Sequence, residues 1–208
     1  MYIRLLQDAK FFEFLFRCDR DLAETARGEG CGRCPGRLHA ANYSRKPRGC
    51  PPGVDSNFSK RFSFCCDTEG CRSRNTPPSM RFLDRRVYLA AIVILASAME
   101  QGSTPARKRQ LRELLGVSPR TLARWRTWWR IVFSKSRFWK GKRGMFRESL
   151  RVADLPRALL DQFHGDPRDR LLSLLLFLAR SRPHSATGCL MAAPDPQKMR
   201  AVPDPRSE

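Results

Sequence analysis

The placing of the cysteines constrains this chain more than any other feature. Eight occur in 208 residues, at positions 18, 31, 34, 50, 65, 66, 71 and 189, and five of them form two tight groups. Cys31-Gly-Arg-Cys34 sets two thiolates on one turn, where the glycine lets backbone N–H groups face sulfur. Thirty-one residues after Cys34 comes Cys65-Cys66-Asp-Thr-Glu-Gly-Cys71. Two such knuckles facing one another supply the four-sulfur tetrahedral shell that Zn²⁺ accepts. A basic loop and a strand lie between them, the layout of a zinc ribbon. The expected ligands are Cys31, Cys34, Cys66 and Cys71, holding one structural Zn²⁺. Cys65 is the runner-up, because strand alternation turns it away from Cys66, and Cys50 in a Pro/Gly loop is a weaker fifth candidate. Cys18 and Cys189 are expected to be plain thiols. A redox reading of the Cys-x-x-Cys pair would want a βαβ unit after it, and residues 37–46 show none.

Charge is the second constraint. There are 40 Lys+Arg against 20 Asp+Glu, a formal net charge of +20 at pH 7. Such an excess favours polyanions and argues against cationic substrates. It is concentrated: residues 31–86 carry 12 basic and 4 acidic groups, and residues 104–151 carry 15 and 2. The flanking segments 1–30 and 152–208 are nearly balanced. Both basic segments are therefore expected to touch the polyanion.

Hydrophobic residues make up 41% of the chain, enough for a core. Five segments are expected. Residues 1–30 form a helical cap, with Asp19 and Asp21 capping a second short helix. Residues 31–80 form the ribbon, with a loop at 40–60, a strand at 61–66 and Pro77-Pro78 at its close. Residues 84–151 are helical: a central apolar helix at 84–100, then helices at 105–115 and 119–133. Residues 152–180 add helices near 155–163 and 167–180, the latter opened by Asp166-Pro167. Residues 181–208, with five prolines and few large apolar groups, are expected to be a disordered tail. The fold class is α+β and mostly α.

The run Leu114-Leu-Gly-Val-Ser-Pro-Arg-Thr-Leu122 is the most informative stretch of the helical half. Gly116 suits a left-handed turn, Val117 plugs the corner, Ser118 caps the next helix and Pro119 takes its first position. This is the spacing of a helix-turn-helix. Leu111, Leu114 and Leu115 are expected to face inward from the first helix. Leu122, Trp125, Trp129 and Val132 form the buried stripe of the second. Arg120, Arg124 and Thr127 then share the opposite face, flanked by Arg126 and Arg130, with Ser118 and Thr121 at the N-terminus. Lys140, Lys142 and Arg143 lie in a Gly-bounded segment beyond and are expected to meet phosphate. Only Glu113 interrupts the basic groups between residues 101 and 147, whereas a merely solvated helix would intersperse acids for i,i+4 support.

Both modules together resemble a bacterial family of transposon-associated, transposase-like proteins that join an N-terminal zinc ribbon to a helix-turn-helix. The likeness spans roughly residues 20–180. It rests on Cys31-Gly-Arg-Cys34, Gly36-Arg-Leu-His39, Tyr43-Ser-Arg-Lys-Pro-Arg-Gly49, Arg61-Phe-Ser-Phe-Cys-Cys66 and Gly70-Cys-Arg72. It continues through Pro77-Pro78, Arg81-Phe-Leu83, Arg85-Arg-Val-Tyr88, the turn from Leu114 to Leu122, and Trp125. The resemblance implies double-stranded DNA as partner, at element ends or in regulation of the element, with a separate transposase or a second copy as further candidates. Recombinase relatives carry an RNase H-like domain with three separated carboxylates on a sheet. Asp154, Asp161, Asp166 and Asp169 instead fall on expected helices and caps, so no catalytic residue is assigned. The alternatives are a catalytic transposase with unrecognised carboxylates and a zinc-ribbon RNA-binding protein. The longest apolar run, residues 87–99, is short of the ~20 residues of a spanning helix. No membrane partner is expected, and the location expected is cytoplasmic and nucleoid-associated.

Overall fold

The computed structural model describes residues 2–180, except 52, 84, 85, 87, 101–103 and 147–149. The tail at 181–208 and Cys189 lie outside the described residues. The chain is mixed α+β and mostly helical.

Two N-terminal helices, α1 (Tyr2–Gln7) and α2 (Ala9–Gly28), are separated by Asp8, whose carboxylate caps α2 by accepting from Lys10 N. This corrects the expected caps. Asp21 lies inside the continuous α2, and Asp19 is fully buried there. Phe11, Phe12 and Leu15 enter the main core, while Ala23 two turns later packs with Leu38, Phe64 and Cys66. One helix thus serves both hydrophobic clusters.

Five short strands follow: β1 (Leu38–Ala40), β2 (Tyr43–Ser44), β3 (Lys60–Arg61), β4 (Phe64–Cys66) and β5 (Arg74–Asn75). They form an antiparallel sheet in the order β1-β4-β5 and a β2-β3 pair. The single strand expected at 61–66 is broken at Ser63. Its N–H donates to the Asn42 side chain at 3.0 Å and its hydroxyl accepts from Arg74 Nε at 2.9 Å. The Ser63 carbonyl still accepts from Ala41 N at 2.8 Å, but its N–H goes to a side chain, and Arg61 and Phe64 pair in different sheets.

The central helix α3 (Ala90–Glu100) begins six residues later than expected. Tyr88 and Leu89 are extended, in isolated bridges with Arg48 and Phe82. Residues 90–98 are all buried, so the apolar-all-round pattern does mark a helix enclosed by others. Around it stand α4 (Pro105–Leu115), α5 (Pro119–Thr127), α6 (Arg137–Lys142), α7 (Arg157–Leu160) and α8 (Pro167–Ala179). Asp166 caps α8 through the N–H groups of Arg168 and Asp169, with Pro167 at its start, as the sequence indicates. The helix expected at 155–163 is the single turn α7. The Gly-bounded segment of Lys140, Lys142 and Arg143, expected beyond the helices, falls on α6 and the short turn after it, with Trp139 buried.

α5 runs on into a π-helical turn, Trp128–Phe133. The wider turn changes which side chain meets the core. Trp129 is followed on the buried face by Phe133, while Val132, expected in the stripe, is 56% exposed. Leu114, expected inside, is 41% exposed, whereas Leu115 packs against the core. The side chain of Leu111 lies outside what the structure describes.

Candidate metal centre and basic helical face

The sulfur atoms of Cys31, Cys34, Cys66 and Cys71 converge, all within 4.8 Å of one another. Cys31 and Cys71 are 3.8 Å apart and Cys34 and Cys66 are 3.4 Å apart. Those separations are far beyond the ~2.05 Å of a disulfide, so the four thiols are free. A chain turn closed by Cys31 N donating to Gly36 O carries the first pair. β4 and the turn after it carry the second, with Cys71 N donating to Thr68 O. The two knuckles are stitched by Asp67 N to Arg37 O at 3.0 Å and Arg37 N to the Asp67 carboxylate at 3.0 Å.

Gly36 is where the knuckles touch. A Cβ there would stand 2.1 Å from Thr68 Oγ1 and 2.8 Å from Cys66 Sγ. Any side chain would wedge the two sulfur pairs apart. Cys65 is on the opposite side of the strand, with its thiol donating to Arg72 O at 3.6 Å. Cys50 and Cys18 lie at the edge of the main core instead, and burial raises both thiols. His39 is exposed, 3.3 Å from Asp67, and takes no place in the cluster.

Crowding shows in the acidities. The Cys34 thiol is pulled down to about 6, first by the Gly36 backbone N–H and then by Thr68 and Cys66. At Cys71 the Ser73 N–H lowers the value, but the neighbouring sulfurs and burial outweigh it and push it up to about 12. Cys66 also rises, against the lowering effect of the Thr68 hydroxyl, through burial and the sulfurs of Cys34 and Cys31. The Cys34 thiolate is favoured while Cys66 and Cys71 are pushed the other way. A cation among the four would remove that conflict. The arrangement could hold a metal ion.

The second feature is the outer face of α5. Ser118 caps the helix, accepting from Thr121 N at 3.2 Å, and Gly116 carries the preceding turn at φ +59°. Leu122, Trp125 and Trp129 are buried. Arg120, Arg124, Arg126, Thr127 and Arg130 are exposed, Ser118 is exposed and Thr121 half-buried. Lys140, Lys142 and Arg143 are exposed on α6 and the turn after it. Arg126, Thr127 and Arg130 line a shallow depression with Ile131, Val152 and Ala153.

Sequence reasoning missed a strap between the sheets and these helices. Arg45 Nη2 donates to Arg86 O at 2.7 Å, and the Arg86 guanidinium lies over Trp128 at 4.3 Å. The Tyr88 ring packs edge-on to Trp125, and its hydroxyl donates to Gly116 O at 3.4 Å. Arg-Val-Tyr was visible as a motif, but nothing in its spacing names the turn it touches. Among the described residues no helix is long and apolar enough to cross a membrane. No family model, curated protein or solved structure matches the chain.

Proposed function

We propose that this chain binds double-stranded DNA through a helix-turn-helix formed by α4 and α5, beside a zinc ribbon that is structural. The observation carrying this reading is the two-sided chemistry of α5. Its inner face is Leu122 and Trp125, continued by Trp129 in the π-helical turn, and its outer face offers arginines and a threonine with no acid on the helix. A face of that kind repels itself until phosphate neutralises it. In the major groove its guanidinium groups would meet guanine edges, while Lys140, Lys142 and Arg143 would meet backbone.

Zinc is the metal proposed for the cysteine cluster. Tetrahedral Zn–S bonds of about 2.3 Å place sulfurs about 3.8 Å apart, and the observed separations bracket that edge. Four thiolates close the shell and leave no coordination position for a substrate. The ion would fix the two knuckles and supply no reaction chemistry.

A role in transposition rests on the resemblance of the motifs alone, as a protein that recognises element ends or regulates the element. Asp154 pairs with Arg151, Asp161 follows α7, Asp166 caps α8 and Asp169 sits in its first turn.

The test is selection of duplexes from a random library with the purified full chain, followed by affinity measurements across a salt series. Enrichment of a shared sequence with a steep salt dependence is the expected result. Equal binding of all duplexes would remove base reading, and preference for structured RNA would favour the RNA-binding alternative. Nicking of the selected duplex with Mg²⁺ would restore a catalytic transposase.

A further inference from the structure

We propose that the 45–49 loop is a second DNA anchor, clamped beside the α4–α5 turn so that one rigid surface grips the phosphate backbone next to the site read by α5. The proposal rests on the DNA-binding reading above and names a contact which that reading leaves open. Sequence alone makes the loop basic: between Glu29 and Asp55 there are five basic residues and no acid. The structure adds the placement. Lys46 and Arg48 are exposed, while the backbone on either side of them is tied down. Arg45 N donates to Ser59 O at 2.9 Å, and Arg48 O accepts from Leu89 N at 3.3 Å.

Gly49 then lets the loop close onto the central helix. Its φ is +84°, and a Cβ there would stand 2.8 Å from Ile92 Cγ1. Any other residue would lift the loop off α3. Tyr88 fixes its lateral position. The Arg48 guanidinium lies 6.0 Å from the Tyr88 ring centre, and the far end of that ring touches Gly116 O at 3.4 Å. Adding the ring's own half-length puts the Arg48 charge within about 12 Å of the turn that opens α5. At about 3.4 Å of rise per base pair, that spans roughly three to four steps of duplex.

The occupant this surface fits is a phosphodiester backbone. Two exposed cations stand on a loop without acids, adjoining a helix whose outer face is also cationic. A second copy of a chain carrying +20 would be repelled from the same place. Because the loop is pinned before binding, little ordering entropy opposes the contact.

The experiment measures affinity of the full chain for a 30-base-pair duplex of random sequence between low and moderate salt. It compares the parent with Lys46→Ala/Arg48→Ala and with Arg4→Ala/Lys10→Ala, a pair that is also exposed, on α1 and α2. Thermal unfolding and metal content check that each variant is folded. The loop variant is expected to flatten the log–log salt slope by about two units, and the control to leave it unchanged. A loop variant with the parent's slope would overturn the anchor while leaving DNA binding by α5 intact. An equal change in both variants would also overturn it, since only bulk charge would then matter. A parent slope near zero would remove duplex DNA as the partner, and the anchor with it.

Discussion

Arg81 Nε stands 2.7 Å from Asp19 Oδ2, with both side chains wholly shielded from solvent. The pair joins the middle of α2 to the segment leading into α3, 62 positions away in sequence. Asp19 also accepts from Ser79 Oγ and from Met80 N at 2.6 Å. Arg81 donates to the carbonyls of Phe58 and Lys60, and its guanidinium lies over the rings of Phe16, Phe58 and Phe82 at 4.7–5.0 Å. Burial lowers the arginine's pKa and Asp19 opposes that shift.

Such a pair is weak evidence for net stability but costly to break. Asp19→Ala strands a buried guanidinium and should destabilise the chain by roughly 3–5 kcal/mol. Replacing both residues with apolar side chains should cost less than the sum of the two single changes. Urea unfolding of the four members of the cycle measures the difference, and additive losses would mean that the two groups do not act as a pair.

The cysteine cluster gives a sharper test. Purified chain should hold about one Zn²⁺, and Cys66→Ser and Cys71→Ser should each release it. Cys65→Ser should keep it, because that thiol faces Arg72 O across the strand. Elemental analysis decides among them. Full zinc in Cys71→Ser, or loss of zinc in Cys65→Ser, would mean that the ligand set is different.

The π-helical turn separates two adjacent residues of similar chemistry. Phe133 is buried against Trp129 and Trp139, at ring separations of 5.1 and 5.2 Å. Phe133→Ala should cost about 3–5 kcal/mol through the cavity it leaves. Val132→Lys should be nearly neutral, since that side chain is mostly in solvent. Were the helix a plain α-helix with Val132 in the stripe, Val132→Lys would unfold the chain instead. Chemical denaturation of the two variants settles the register.

How much of this was legible beforehand follows from the range of each signal. The cap at Ser118, the turn at Gly116 and the start of α8 at Asp166-Pro167 are local, and short motifs encode local geometry. Metal chemistry restricts which residues can meet, which singles out Cys31, Cys34, Cys66 and Cys71, while strand alternation leaves Cys65 as the runner-up. Asp19 was misplaced for the opposite reason. A carboxylate near a helix looks like a cap until its partner is known, and Arg81 bears no local mark of facing it. Val132 failed because an extra residue in a helical turn leaves no sequence signature. Tyr88 failed because an extended pair before an apolar run looks like the first turn of the helix it precedes.

The last prediction separates base reading from phosphate anchoring within the helical half. Arg120 and Arg124 lie one turn apart on the exposed side of α5, opposite Leu122 and Trp125. Lys142 is exposed at the end of α6 and should touch backbone alone. Arg124→Ala should therefore lose about 1–3 kcal/mol on a duplex recovered by selection and little on random duplex. Lys142→Ala should weaken both alike and flatten the salt slope by about one unit. The quantity to follow is the ratio of the two affinities. It should fall toward unity for Arg124→Ala and stay constant for Lys142→Ala. Should Arg124→Ala lower both affinities by one factor, α5 would be gripping phosphate, and any sequence choice would have to arise from DNA shape or from the cysteine-bearing segment.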